Sequence, residues 1–364
     1  MKNTVIALVM LFLGCNTLPV GYDQLQRIPA DSSLTLGPDT LASYAKYIPL
    51  GAADIMSLGQ DSAYESRIII NFTLADSSLD SVKSAKLILH PADSTPMSFV
   101  CRPCSVAWNS NAVSWKMADS VTHWLNPGGD YWHIDLGSGT FEGESLVIDL
   151  NLDYLDTLVR NSHGIILFPS DTGFVAVHSR YSQTTAPRIC LTYPDDVKKI
   201  CNAVEDAHLV DTNNIHLNPQ YLEVGSGVAF RTYLRFPLDS VPKEATIARA
   251  EISFLPHVEY RRNDTLSLGV HRLFEPFSRY ARFEDEPCAH LNYIISPDAD
   301  SVATLDIRKL VQFWTANPPD SNFGLLLTAY PEWSEMFRIK IPRAGPNALK
   351  LKLLYIMPPE DRIQ

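Results

Sequence analysis

The sequence predicts an all-β protein: two tandem antiparallel β-sandwich domains of jelly-roll type, each carrying one short helix. Three observations lead there. One set of landmarks occurs twice in the same order, the strands alternate apolar and polar residues, and 25 prolines and 17 glycines punctuate short apolar runs throughout the 364 residues.

The repeat comes first. Arg67-Ile68-Ile69-Ile70-Asn71-Phe72 and then Ser84-Ala85-Lys86-Leu87-Ile88-Leu89 match Arg231-Thr232-Tyr233-Leu234-Arg235-Phe236 and then Arg249-Ala250-Glu251-Ile252-Ser253-Phe254. Gly164-Ile165-Ile166-Leu167 matches Gly324-Leu325-Leu326-Leu327, and each half closes on a strand ending in a tyrosine, Tyr193 or Tyr355. Arg67 and Gly164 lie 97 positions apart, Arg231 and Gly324 lie 93 apart.

Within each repeat, Phe337, Ile339 and Ile341 alternate with Arg338 and Lys340, and Leu349, Leu351 and Leu353 with Lys350 and Lys352. A wet face and a dry face on one strand are the mark of antiparallel sheets. Helical spacing occurs once per repeat: Leu152, Leu155 and Val159 after Asn151, and Ile307, Leu310, Val311 and Trp314 after Asp306, stopped by Pro318 and Pro319.

The N-terminus reads as an export signal, with Lys2, an apolar run from Val5 to Leu13, then Gly14 and Cys15. The run is shorter than the roughly 20 residues a membrane-spanning helix needs. Phe12-Leu13-Gly14-Cys15 resembles a lipobox, which makes Cys15 the lipidation site. Asn16 in place of an aspartate favours the outer membrane. The expected division is 1–15 signal, 16–30 tether, 31–194 first sandwich, 195–205 linker, 206–357 second sandwich and 358–364 tail, with the first sandwich close to the membrane and the two in nearly fixed contact. A net charge of −11 argues against nucleic acid as a partner.

These residues resemble the DNRLRE-type domains, jelly-roll sandwiches classed among carbohydrate-binding modules of exported bacterial proteins. The second half carries Asp206, Leu222-Glu223-Val224-Gly225, the Arg231 strand, the Asp306 helix with Trp314, and the Gly324 strand. The first carries Trp108 with Val113-Ser114-Trp115, and Ser179-Arg180 before Ala186-Pro187-Arg188-Ile189. The departures are Asn71 opposite Arg235, and Phe277 and Phe283 where the first repeat has tryptophans. The resemblance implies a sandwich fold and a polysaccharide ligand.

No phosphate loop, HExxH or nucleophile elbow is present, so no catalytic residue, cofactor or metal is expected. Export places the cysteines where disulfides form, so Cys101 with Cys104 and Cys190 with Cys201 are candidate pairs. Candidate ligand-binding residues are the loop aromatics Trp124, Tyr131, Trp132 and Trp333, against the alternative that such rings plug the sandwich ends. Arg261, Arg262, Arg272, Arg279 and Arg282 form a local basic stretch suited to an anionic polysaccharide or to a solvated strand face; of these, Arg261, Arg262, Arg279 and Arg282 are the site candidates. The repeated Arg67/Arg231 and Gly164/Gly324 read as requirements of the fold. Two functional classes remain, a glycan-binding envelope lipoprotein and a structural or assembly protein that docks other envelope proteins. Exposed aromatic platforms would indicate the first; an apolar patch or open sheet edge would indicate the second.

Overall fold

The structure is a computed structural model that describes residues 32–74, 79–141, 145–295, 301–333 and 336–358. The expected signal, Cys15 and the 16–30 tether lie outside the described residues, as does the tail beyond residue 358. The chain begins with β1 (Ser32–Leu36), β2 (Thr40–Tyr47), β3 (Ile55–Gln60), β4 (Tyr64–Phe72), β5 (Ser84–Leu89), β6 (Met97–Pro103), β7 (Gly137–Phe141) and β8 (Leu146–Leu150). Helix α1 (Leu155–Arg160) precedes β9 (Ile165–Pro169), β10 (Gly173–His178) and β11 (Arg188–Thr192). Then follow β12 (Lys198–Thr212), β13 (Tyr221–Gly225), β14 (Val228–Arg235), β15 (Thr246–Phe254), β16 (His257–Arg261), β17 (Thr265–Arg272), β18 (Ala289–Ile294) and β19 (Ala303–Asp306). Helix α2 (Arg308–Ala316) leads to β20 (Leu325–Ala329), β21 (Phe337–Pro342) and β22 (Lys350–Ile356).

Every strand pair is antiparallel, and the protein is an all-β molecule of two sandwiches with one short α-helix in each. One core gathers Ile68, Ile70, Leu87, Phe99, Ile148, Leu167, Val175 and Ile189; the other gathers Leu234, Ile252, Leu268, Leu305, Trp314, Leu327, Ile339 and Leu351. All but Trp314, which lies on α2, are dry positions of the alternating strands. Asn151 accepts from Asp153 N at the turn leading into α1, and Asp306 accepts from Arg308 N at the start of α2. The repeated glycines serve one purpose. A Cβ on Gly164 would lie 2.1 Å from Ile70 O and one on Gly324 2.5 Å from Leu234 O, so both strands enter their sheets where no side chain fits.

Strand pairing does not follow the division expected at 194–206. The N-terminal arm, β1 and β2, pairs with β22 and β14 of the second sandwich. The matching place in the first sandwich is filled by β12, which pairs with β11 through its first five residues and with β4 from Ala203 onward. Each repeat thus completes the other's sandwich with its own leading strand. By pairing, the first sandwich is the continuous stretch 48–212 and the second is 32–47 joined to 213–358. Residues 198–205, expected as linker, are strand because Tyr193 N bonds to Val197 O around Asp195 and Asp196, both left-handed (φ 60° and 56°). Two successive left-handed residues make the turn that suits a tight hairpin, and aspartate tolerates that conformation. A register shift between Ala203 and Glu205 carries β12 from one sheet to the other; Gly37 and Pro38 make the corresponding break between β1 and β2.

The two crossings pass through a shared apolar cluster that mixes Ile48, Leu50, Tyr64, Phe174 and Val210 with Val228, Phe230 and Met336. Tyr64 and Tyr260 meet across it with ring centroids 4.5 Å apart and tilted by 40°, and Tyr47 Oη donates to Asp211 at 2.5 Å. Beside it, the fully buried Glu223 receives Arg338 Nε at 2.7 Å while the same guanidinium caps Asn214 O and His216 O. A buried charge is tolerated only with this degree of pairing.

Candidate functional site

The larger sheet of each sandwich is covered over much of its outer side as well, and the reason is legible strand by strand. In the first sandwich Ile69, Ile166, Ala207 and Leu209 point away from the main core, leaving an apolar outer face. Residues 104–136 fold back over it and supply Trp108, Val113, Trp115, Ala118 and Trp124. Trp108 Nε1 donates to His163 O at 2.8 Å and Trp124 Nε1 to Ser114 O at 2.9 Å, so these rings are satisfied inside the cover. Arg67 lies between Trp115 and Phe168, 4.6 and 4.8 Å from the ring centroids, and donates to Glu65 and Gly128 O.

In the second sandwich the cover is the shorter 273–288 segment. Phe277 stacks on Tyr233 at 4.1 Å and 8°, while Arg231 sits 5.1 Å from the Phe283 ring and forms a two-point pair with Glu332 at 2.6 and 2.8 Å. Phe277 and Phe283 thus do the work of the first repeat's tryptophans, and Arg231 that of Arg67. The short bridges Cys104–Tyr131 and Leu273–Phe283 tie the two covers down at matching places.

The cover leaves one strip of the first sandwich's outer face open, formed by the outward residues Ser98, Val100 and Arg102 of β6, Ser138 and Thr140 of β7, and Phe168. Tyr131 borders it, its ring 4.7 Å from Phe168 and 5.0 Å from His133. Arg102 stands 5.1 Å from the Tyr131 centroid and donates through Nε to Asp135 at 2.9 Å. Trp132 is 45 % exposed, its indole anchored to Asn161 O at 3.1 Å. Ser98 and Thr140 hydroxyls meet at 2.9 Å. Aromatic faces, a charged pair and hydroxyls share one open strip. Such a surface offers stacking and several hydrogen bonds to a ligand.

Among the expected site residues, Tyr131 borders this strip, whereas the next residue, Trp132, gives its indole N–H to Asn161 O at the end of α1. Trp124 is only 5 % exposed and belongs to the cover, its N–H given to Ser114 O and its ring packed in the cluster under the loop. Trp333 is 38 % exposed on the other sandwich, next to Glu332. The basic stretch does not converge. Arg262 turns into the junction, donating to Ser57 Oγ and packing 5.1 Å from Phe174. Arg261 pairs with Asp264 at 3.1 Å and Arg282 with Glu275, while Arg279 is exposed with no ion-pair partner among the described residues. Arg102, Asp135 and Phe168 were not singled out from the sequence. Their signal is the alternation of Ser98, Val100 and Arg102 with the buried Met97, Phe99 and Cys101.

The expected disulfides do not form; all five described cysteines are free. Cys101 and Cys104 are an odd number of residues apart and face different clusters, one in the main core and one under the cover. Cys201 pairs with Ile189 and Cys190 with Ile200, which puts the two thiols on opposite faces of the sheet. Burial pushes the Cys104 thiol up to about 12 and the Cys288 thiol to about 11, so neither is a ready thiolate. No group of three or more metal-ligating side chains occurs among the described residues.

No protein-family model matches the chain, and no curated protein matches it in sequence. Among solved structures, the N-terminal CBM22-1–CBM22-2 tandem domain of Paenibacillus barcinonensis Xyn10C aligns at 8 % identity over 90 % of this chain and 100 % of that one, with a TM-score of 0.16. A T=1 Penaeus vannamei nodavirus structure aligns at 10 % identity over 89 % and 98 %, with a TM-score of 0.13. Likenesses this faint carry no argument about the chain.

Proposed function

We propose that the chain is a non-catalytic envelope protein, exported and lipid-anchored through Cys15 to the outer membrane, that holds polysaccharide on the first sandwich. The observation that carries this reading is the open strip, where the Tyr131 and Phe168 rings adjoin the Arg102–Asp135 pair and the Ser98 and Thr140 hydroxyls lie farther along β6 and β7. Sugar rings stack through their CH groups on such faces while the polar groups read hydroxyls. The resemblance to DNRLRE-type domains supports the same reading.

The test is affinity electrophoresis and a glycan array on residues 16–364 with Cys15 replaced. Tyr131→Ala should weaken binding about thirtyfold, the loss of ~2 kcal/mol typical of a central aromatic anchor. Silence across acidic and neutral polysaccharides would overturn it. The assembly reading would use the outward face of the smaller sheet, where the exposed Val147 and Ile200 stand among Lys86, Asp149 and Arg188, a mixed surface for a protein partner.

A further inference from the structure

The larger sheet of the second sandwich ends on β18, which pairs with β17 and with no other strand among the described residues. Hydrogen-bonded and non-bonded positions alternate along an antiparallel pair. Ile295 N donates to Asp264 O, and Leu266 opposite Tyr293 and Leu268 opposite Leu291 keep the same phase, so Ala289, Leu291 and Tyr293 turn their backbone groups to β17. The N–H and C=O groups of His290, Asn292 and Ile294 therefore face away from the sheet. Other edges are guarded against such exposure. Strand β16 carries Glu259, Arg261 and a bulge between Val258 and Tyr260, β2 carries Lys46, and β12 opens on Lys198 and Lys199. The matching edge of the first sandwich, β7, is interrupted by Gly137 and Gly139. Strand β18 carries no lysine, arginine, aspartate, glutamate, glycine or proline. Its last residue, Ile294, is 68 % exposed, and so, at 58 %, is Val302, next to the Ser301 whose carbonyl takes the Tyr293 hydroxyl.

We infer that β18 is a self-association edge, where a second copy of the chain adds its own β18 antiparallel about Asn292 and joins two larger sheets into one. The register follows from the residues. Centred on Asn292, the pairing sets Asn292 against Asn292 and His290 against Ile294, so the backbone groups left over on each copy bond one another through about six hydrogen bonds, two at each position. On the other face Leu291 meets Tyr293, which keeps the core side apolar in both copies. No like charges meet across the pairing, although each chain carries a net −11. Asn292 is held ready for it: Oδ1 receives the Ser267 hydroxyl at 2.8 Å, and Nδ2 has no acceptor among the described residues. A strand complementary to itself about a two-fold axis points to a second copy as its partner, and such a contact closes at two chains. The inference does not rest on the glycan reading; under that reading it brings two open strips into one particle.

The test is sedimentation equilibrium on residues 16–364 with Cys15 replaced. A pairing of this size lies at the weak end of specific interfaces, so the mass should double between about 1 µM and about 300 µM. Asn292→Lys sets two ammonium groups opposite each other, and Asn292→Pro removes a central N–H that faces away from β17. Each should weaken the dimer about tenfold or more, with circular dichroism and melting temperature unchanged. A short bismaleimide should join two Asn292→Cys chains and leave the parent chain, with its own thiols, unjoined. A mass that stays monomeric throughout overturns the inference and leaves the edge to an extended segment of another protein. A dimer that both variants leave intact, or crosslinking no greater in Asn292→Cys than in the parent, overturns it as well.

Discussion

Cutting the chain at the boundary suggested by its repeat should destroy the first sandwich, whereas cutting it seventeen residues later at one end and eighteen later at the other should preserve it. A fragment of residues 31–194 retains β1 and β2, which have no partner in it, and loses β12. That strand meets β4 at nine ladder positions and β11 at five. An antiparallel ladder carries about one hydrogen bond per position, and each is worth about 1 kcal/mol net, so its removal costs on the order of 10 kcal/mol, against a typical domain stability of about 5–15 kcal/mol. The burial of Ala207, Leu209 and Val210 is lost as well. A fragment of residues 48–212 contains every strand of the sandwich in order. Urea unfolding followed by circular dichroism, with amide spectra of both fragments, decides the matter: 48–212 should unfold cooperatively with dispersed resonances and 31–194 should show neither. A cooperative 31–194 fragment of equal stability would mean that the exchange of leading strands is not required for folding.

Two further outcomes follow from buried titratable groups and thiols. His208 Nδ1 accepts from Ser57 N at 2.8 Å, and burial, helped by Arg262, holds its value down to about 3, so the stability it contributes is present above pH 6.5 and drains away as the pH falls toward 3. Asp206, two residues earlier, is pushed up to about 6 by burial despite Arg180, so its contribution has the opposite sense: present below about pH 4 and lost as the pH rises through 6. Between pH 7 and 4 the two offset each other. His208→Asn, whose side-chain oxygen can accept from Ser57 N, should gain on the wild type by about 3 kcal/mol over that window; parallel urea midpoints at the two pH values would refute this. For the cysteines, the chain unfolded without reductant should expose five reactive thiols from residues 32–358, with Cys190 labelled first in the native state; a count of one or three would mean that a disulfide forms.

Much of the architecture was legible because it is local. Alternation along β21 and β22, the caps at Asn151 and Asp306, and the glycines at 164 and 324 all act within a few residues or at an obligatory close approach. Partner choice is not local. Residues 32–47 alternate as any strand would, and nothing in that pattern says whether β4 or β14 receives them. Pro194-Asp195-Asp196 has the composition of a linker and is a tight turn because two aspartates adopt left-handed backbone. In the candidate site, exposed aromatics could be named from loop composition, yet Trp124 differs from Trp132 only in what its loop packs on.

The arm also decides how a load would pass through the molecule. Whatever precedes Ser32 is attached first to the second sandwich, through five ladder positions on β22 and eight on β14. A pull from that end reaches the first sandwich only afterwards, through residues 48–54. The first sandwich is therefore suspended from the second like a loop of chain closed at both ends by strands woven into its neighbour. Tension cannot part the two modules without drawing a strand out of a sheet, and an anchor at the N-terminus would hold the far repeat, with the near one carried beyond it.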